Sequence, residues 1–247
     1  ALCLTLLCTP LLHAQDPIAH WTFDEGTGTT AADSAGSNDG ALTNGPAWST
    51  GVLNGALTFD GSDDYLNCGT NSALDITGDL CVTGWVRIPA PIGVSMVFIS
   101  KARGANGTPG DNAFSAGVDG SGNPFFYVTG DGSDYGAIGT TAITDDAWHH
   151  VSGVYGQATQ EVTLYIDGVE AASTPGPTAL STTPTPLFIG AGVRYDSLPE
   201  NVFAGSVDDV KIYDYACGPA AIATEVDSGA DGLPDGWGVS FFSLSSV

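Results

Sequence analysis

The sequence predicts an all-β protein built from antiparallel hairpins, and three observations carry that prediction. In the stretch 147–173, AWHHVSGVYGQATQEVTLYIDGVEAAS, Val162, Leu164 and Ile166 alternate with Thr163 and Tyr165. Asp167-Gly168 then follows, so a strand with one buried face runs into a tight hairpin turn. The second observation is that 34 glycines and 14 prolines are spread along the chain, as many short strands joined by turns require. The third is the lack of any heptad pattern or long amphipathic helix. A chain of 247 residues can bury one sizeable core as a single β unit.

Taken in order, residues 18–23 alternate Ile18, His20 and Thr22 against Ala19, Trp21 and Phe23, a first strand that Asp24-Glu25-Gly26 ends. A Gly/Ser/Asn/Asp loop with Asp33, Asn38 and Asp39 follows. Strands are expected at 56–59, 65–68, 80–86 and 97–100, with Trp85 packed in the core between sheets. KARGANGTPGDN reads as a long loop, and 114–118 with 125–128 as a hairpin around DGSGNP. GDGSDYG reads as an acid-and-glycine loop that exposes Tyr135. Val151, Gly153 and Tyr155 form a strand ahead of the central hairpin, giving a three-strand meander. TPGPTALSTTPTP then crosses between sheets, 187–190 re-enters a sheet, and GVRYDSLPEN forms a rim loop with Tyr195 and Asp196. Val207, Val210 and Ile212 mark the closing strand, with Asp208-Asp209 at its start, and 219–226 can form one short helix.

The Trp-His-His, Val-x-Gly-x-Tyr and Leu-Tyr-Ile-Asp-Gly-Val sequence of 148–169 resembles the signature hairpin of the laminin G-like domains. IAHWTFDEGTGTTAADSAGSNDGAL resembles their opening strand and loop, and FIGAGV with FAGSVDDVKIYDYAC their closing strands. The resemblance spans roughly residues 17–223 and implies a two-sheet antiparallel β-sandwich, the jelly roll of the concanavalin A-like lectin/glucanase superfamily. It also implies a structural role for His149-His150. Calcium is implied as a structural cofactor joining the first and last strands, with Asp24, Asn38, Asp39 and Asp208 as ligands and Gly40 offering a carbonyl.

Charge narrows the partners. Lys and Arg number 5 against 28 Asp and Glu, a formal net charge of −23. Phosphate backbones are repelled, so nucleic acid is excluded and anionic membrane surfaces are disfavoured. Asp, the loop and calcium-ligand acid, dominates, and the few Glu residues are isolated. The Glu-x-Asp-x-x-Glu strand that serves the superfamily's β-glucanases as nucleophile and acid/base does not occur, so a glycoside hydrolase is disfavoured. Asp208 and Asp209 are adjacent, and in a regular strand they point to opposite faces.

Residues 1–14, ALCLTLLCTPLLHA, read as the apolar region and cleavage site of a secretory signal peptide, which implies export to the outside or the cell surface. No other apolar run approaches bilayer-spanning length. Cys68, Cys81 and Cys217 then remain: Cys68 and Cys81 can pair in an exported protein, while Cys217 reads as a buried thiol. The domain is placed at 15–226. The tail 227–247 spaces Asp227, Asp231 and Asp235 four apart and resembles the start of a DGLPD-type calcium repeat.

Function therefore divides between a non-catalytic carbohydrate-binding module, with a glycan as partner, and an adhesion module with an extracellular protein as partner. The expectation is a monomer or part of a larger multidomain chain. For a glycan, Trp48, Tyr135 and Tyr195 are the stacking candidates, and Asp196 accepts hydroxyl hydrogen bonds.

Overall fold

The computed structural model describes residues 15–89, 93–101, 113–193 and 198–230. In chain order the strands are β1 (Ala19–Trp21), β2 (Thr30–Ala31), β3 (Gly40–Thr43), β4 (Ala47–Thr50), β5 (Gly55–Asp60) and β6 (Tyr65–Asn67). There follow β7 (Leu80–Arg87), β8 (Met96–Lys101), β9 (Phe114–Val118), β10 (Pro124–Gly130), β11 (Ser133–Ile138) and β12 (Trp148–Gly156). The last are β13 (Glu161–Ile166), β14 (Val169–Pro175), β15 (Leu187–Ile189), β16 (Gly192–Val193), β17 (Pro199–Glu200) and β18 (Ala204–Tyr213), before helix α1 (Pro219–Ala230). The signal-peptide reading at 1–14, most of the KARGANGTPGDN loop, and Tyr195, Asp196, Asp231 and Asp235 lie outside the described residues.

Two antiparallel sheets face one another. The first runs β14-β13-β12-β7-β18-β5-β4, with β1 also on β18; the second runs β11-β10-β9-β8-β15-β6-β3-β2. The segment after β14 carries the chain from the first sheet to the second, as its Pro/Thr composition suggested. Period-two alternation explains the core: Val82, Val86, Val151, Leu164, Val207, Val210 and Ile212 of one sheet meet Phe98, Phe114, Phe126, Val128 and Leu187 of the other. At Gly153 of β12 the ring of Phe126 from the opposite sheet fills the space a Cβ would take.

Strand β18 is interrupted at one place, and the interruption organises its neighbours. β5 pairs with Ala204–Val207 and β1 with Val210–Ile212, so the two lie end to end along one edge of β18. A β-bulge falls in the gap between them, with Asp209 at φ 48°. The expectation that Asp208 and Asp209 diverge to opposite faces is corrected by that bulge: both lie on the outer face of the first sheet. Asp208 Oδ2 accepts the N–H groups of Val52 and Leu53 at 2.8 and 3.0 Å. Asp209 meets His20 Nε2 at 2.6 Å and Lys211 Nζ at 2.9 Å. The salt partners and hydrogen bonds hold Asp209 below the usual carboxylate range despite its burial.

Helix α1 covers part of this outer face. Ile222 packs with Cys81, Val154, Tyr165, Tyr213 and Cys217, and Cys81 is bonded to Cys217 as a disulfide. The suggested Cys68–Cys81 pairing and the buried Cys217 thiol are thus corrected. Cys68 projects into the core between the sheets as a buried thiol, whereas Cys81 projects outward under α1. Trp85 is corrected too: it is buried, but on the outer face against His150, with ring centroids 5.2 Å apart. The two histidines do diverge. His150 is buried on that face with Ser152 Oγ at 3.3 Å, and His149 lies between Asp167 and Asp145.

Two tests follow from this packing. Gly153→Ala pushes a methyl into Phe126 and is expected to lower unfolding free energy by about 2 kcal/mol, read by urea denaturation. An unchanged midpoint would show that the sheets can part there. Burial pushes His150 down to about 4, against an ordinary 6.5. The unfolded chain therefore takes the proton first, so stability is complete above roughly pH 6.5 and falls as pH drops towards about 4, by up to about 3 kcal/mol. His150→Gln should remove that part of the acid slope, and an identical slope in the variant would refute the assignment.

Candidate functional site

The outer face of the second sheet carries an open trough of about 380 Å³. Its floor follows from strand register. Ser100, Ser115, Tyr127 and Gly136 form one row across β8 to β11, and Val97, Gly117, Phe125 and Ile138 form the next. The two glycines shape the floor: Tyr127 lies flat over Gly136, leaving no room for a Cβ, while Phe125 leans towards Gly117 with its Cζ 2.9 Å from where a Cβ would stand. Leaning in opposite directions, the rings meet edge to face, with centroids 5.2 Å apart and planes at 60°. The β16–β17 hairpin forms the far wall through Val193, Glu200 and Asn201. It is anchored by Val193 packing with Phe188 and Ala191.

Carboxylates stand at the two ends. Asp119 accepts from Ser121 N, Asn123 N and Asn123 Nδ2 at 2.8, 3.0 and 3.2 Å. These bonds outweigh its desolvation and hold the carboxyl below its usual range, so it is an ionised acceptor at neutral pH. Asp134 accepts from the buried Thr129 hydroxyl at 2.5 Å. Burial, with the charges of Asp134 and Asp119, raises the Tyr127 hydroxyl, which stays protonated as a donor. Such a floor, aromatic at its centre with hydroxyls and carboxylates around it, can bind a molecule with one apolar face and several hydroxyl donors.

Phe125 and Tyr127 were not among the stacking candidates, and the reason is local. GDGSDYG is not an exposed loop: Asp131-Gly132 is a two-residue turn with both φ positive, and SDYGAI is β11. That register corrects Tyr135, which pairs with Val128 and packs against the core, half-buried. The alternate residue of the partner strand, Tyr127, takes the outer face. Trp48 is corrected as a free platform as well; it packs on the core, with Nε1 donating to Gly28 O at 3.0 Å.

The expected calcium ligands fall into two hydrogen-bonded sets. Asn38 and Asp39 belong to the loop closed on Asp33, whose carboxylate accepts from the backbone N–H groups of His20, Ala35, Gly36 and Asn38 and from Asn38 Nδ2. Asp39 Oδ1 accepts from Asp33 N, and Gly40 starts β3 opposite Ala31. Asp24 and Asp208 instead hold the two ends of the 51–55 turn, Asp24 Oδ1 accepting from Gly55 N at 2.8 Å. Asn38 Oδ1 and Asp208 Oδ1 are buried with no hydrogen-bond partner among the described residues. Burial, with Asp209 nearby, pushes the Asp208 carboxyl up to about 7. A different trio, Asp60, Asp63 and Asp64, has carboxylate oxygens within 4.8 Å of one another at the β5–β6 turn.

Among solved structures, the binding domain of Paraclostridial Mosquitocidal Protein 1 matches with a TM-score of 0.68 and 14% identity, over 86% of this chain and 52% of that one. Domain 4 of AbnA, a GH43 extracellular arabinanase from Geobacillus stearothermophilus solved with arabinotriose, matches at 0.63 and 18% over 85% of this chain and 97% of that one. The binding domain of botulinum neurotoxin serotype G matches at 0.64 and 10% over 85% and 50%. The chain thus spans about half the length of the toxin binding domains it matches. At these identities the likeness is one of fold. No curated protein matches the chain. The family model Laminin_G_3 matches residues 60–223, most of the sandwich, and the chain belongs to that family of the concanavalin A-like lectin/glucanases superfamily.

Proposed function

We propose that this chain is an exported carbohydrate-binding module, without turnover of its own, and that sugar binds in the trough on the outer face of the second sheet. The observation that carries the reading is the Phe125–Tyr127 pair, flanked by Ser100, Ser115, Asp119 and Asp134. A pyranose or furanose ring offers an apolar face to stack on the tyrosine and hydroxyls for the acceptors beside it. The arabinotriose bound to the arabinanase domain supports a sugar as ligand. The Cys81–Cys217 disulfide supports an oxidising compartment and hence export. Binding without hydrolysis is supported by the lack of the Glu-x-Asp-x-x-Glu strand in the sequence.

A second reading, adhesion to an extracellular protein, is favoured by one feature. Val94 beside the trough and Ile138 in its wall are 63% and 44% exposed, aliphatic rather than aromatic. Arrayed glycans and arabino-, xylo- and gluco-oligosaccharides separate the two readings. Calorimetry should detect a sugar ligand whose affinity falls about tenfold or more in Tyr127→Ala, equivalent to ~1.4 kcal/mol. No sugar bound by the folded protein, or full affinity in the variant, would remove the trough as a glycan site.

A structural calcium ion is part of the proposal, with Asp24 and Asp208 at the 51–55 turn as one set of holders and Asn38, Asp39 and the Gly40 carbonyl as the other. Its support is the pair of buried oxygens, Asn38 Oδ1 and Asp208 Oδ1, that have no hydrogen-bond partner among the described residues. Oxygen donors are what calcium takes, and bound there it would neutralise acidic side chains close to β1 and β18. Thermal unfolding in millimolar calcium should exceed that in chelator by roughly 5 °C, and Asp208→Asn should abolish the difference. Equal midpoints in the two conditions would end this part of the proposal.

A further inference from the structure

We infer that the ligand is an uncharged oligosaccharide long enough to leave the trough past Ile138 and enter a second cavity beside Val169 and His149. The inference rests on the sugar-binding reading of the trough. The second cavity holds about 360 Å³, and Ile166, Val169 and Glu170 contribute to its lining. It lies at the side of the sandwich where β11 packs against β13 and β14.

The two cavities adjoin at the ends of β10 and β11. Phe125 and Ile138 line the first, and their immediate chain neighbours Pro124 and Gly139 line the second, joined by the Gly139 N–H to Pro124 O bond of 2.8 Å. One residue of strand covers only ~3.3 Å and successive residues face opposite ways, so a chain molecule passes from one cavity to the other around the ends of β10 and β11. Ile138 stands in the wall of the first and Val169, 70% exposed, in that of the second. Large apolar side chains are this exposed at only four positions among the described residues. A continuous ligand covers both.

The polar groups of the second cavity are fixed in place. His149 Nδ1 lies 2.8 Å from Asp167 Oδ2 and Nε2 lies 3.1 Å from Asp145 Oδ1, so the ring is flanked by carboxylates at both nitrogens. Asp145 Oδ1 also accepts from Ala147 N at 3.0 Å, and Asp167 Oδ1 from His150 N at 2.9 Å. The carboxylates are thereby held as oriented acceptors for hydroxyl groups. Asp145, Asp167 and Glu170 outnumber the one imidazole in the lining, so uronic or sialic acid units are repelled there.

The test is calorimetry with arabino-, xylo- and gluco-oligosaccharides from mono- to hexasaccharide, and with uronate-bearing counterparts, on the wild type, Tyr127→Ala and Val169→Asp. Wild-type affinity is expected to rise by about tenfold or more between the shortest and longest bound sugars, and to be lower by about tenfold for uronate-bearing chains. Val169→Asp, at an exposed position, should keep the unfolding midpoint and the short-chain affinity within about twofold while losing the gain with length. Affinity independent of length, or a gain that survives Val169→Asp, overturns the second subsite and leaves the trough intact. Binding of no sugar, or binding that Tyr127→Ala leaves unchanged, overturns the trough reading and the subsite together.

Discussion

Strand β18 is the member on which the rest of the first sheet depends. It pairs with β7 along one edge and with β5 and β1, end to end, along the other. Two strands meeting on one edge leave unpaired backbone where they abut. Two carboxylates serve that gap: Asp208, in the bulge, takes the Val52 and Leu53 amides, and Asp24, just past β1, takes that of Gly55 at the start of β5. Gly51 and Gly55 stand at this junction because Asp208 and the Phe23 carbonyl occupy the space of their missing side chains. Accepting these backbone amides fixes the opening of the chain to its close.

The two outer faces have opposite fates. On the first sheet, α1 and the Cys81–Cys217 bond cover a polar layer that must satisfy itself. Lys211 is paired with Asp209 and Glu225, and Tyr213 donates to Glu225 at 2.6 Å. Thr83 Oγ1 and Trp85 Nε1 remain buried without partners among the described residues, so the layer is only partly compensated. On the second sheet, among the described residues, the small β16–β17 pair covers the Phe188 end and leaves β9 to β11 open. The trough lies where that cover stops.

Much of the architecture was legible in the residues. The 148–175 meander, the strands around Leu57, Val82 and Phe114, the crossing Pro/Thr segment and the helix after Cys217 all stand where alternation and turn residues put them. Errors gathered where a strand departs from simple alternation or where pairing is remote. The bulge at Asp208–Asp209 reversed the expected divergence of the pair, and the disulfide joins residues 136 apart in sequence. Tyr135 and Tyr127 show the same limit. Each sits in a short polar-apolar alternation, and only the register across the Asp131-Gly132 turn says which aromatic faces the core.

By itself, then, the sequence determined the class of fold and the acidic character of the molecule, because period-two patterning, turn chemistry and net charge are local or additive properties. Tertiary structure alone decided which face of the sandwich stays open, which aromatics line it, and which cysteines meet. Those outcomes depend on strand order and on what packs over each sheet, and both arise from contacts between residues far apart in the chain.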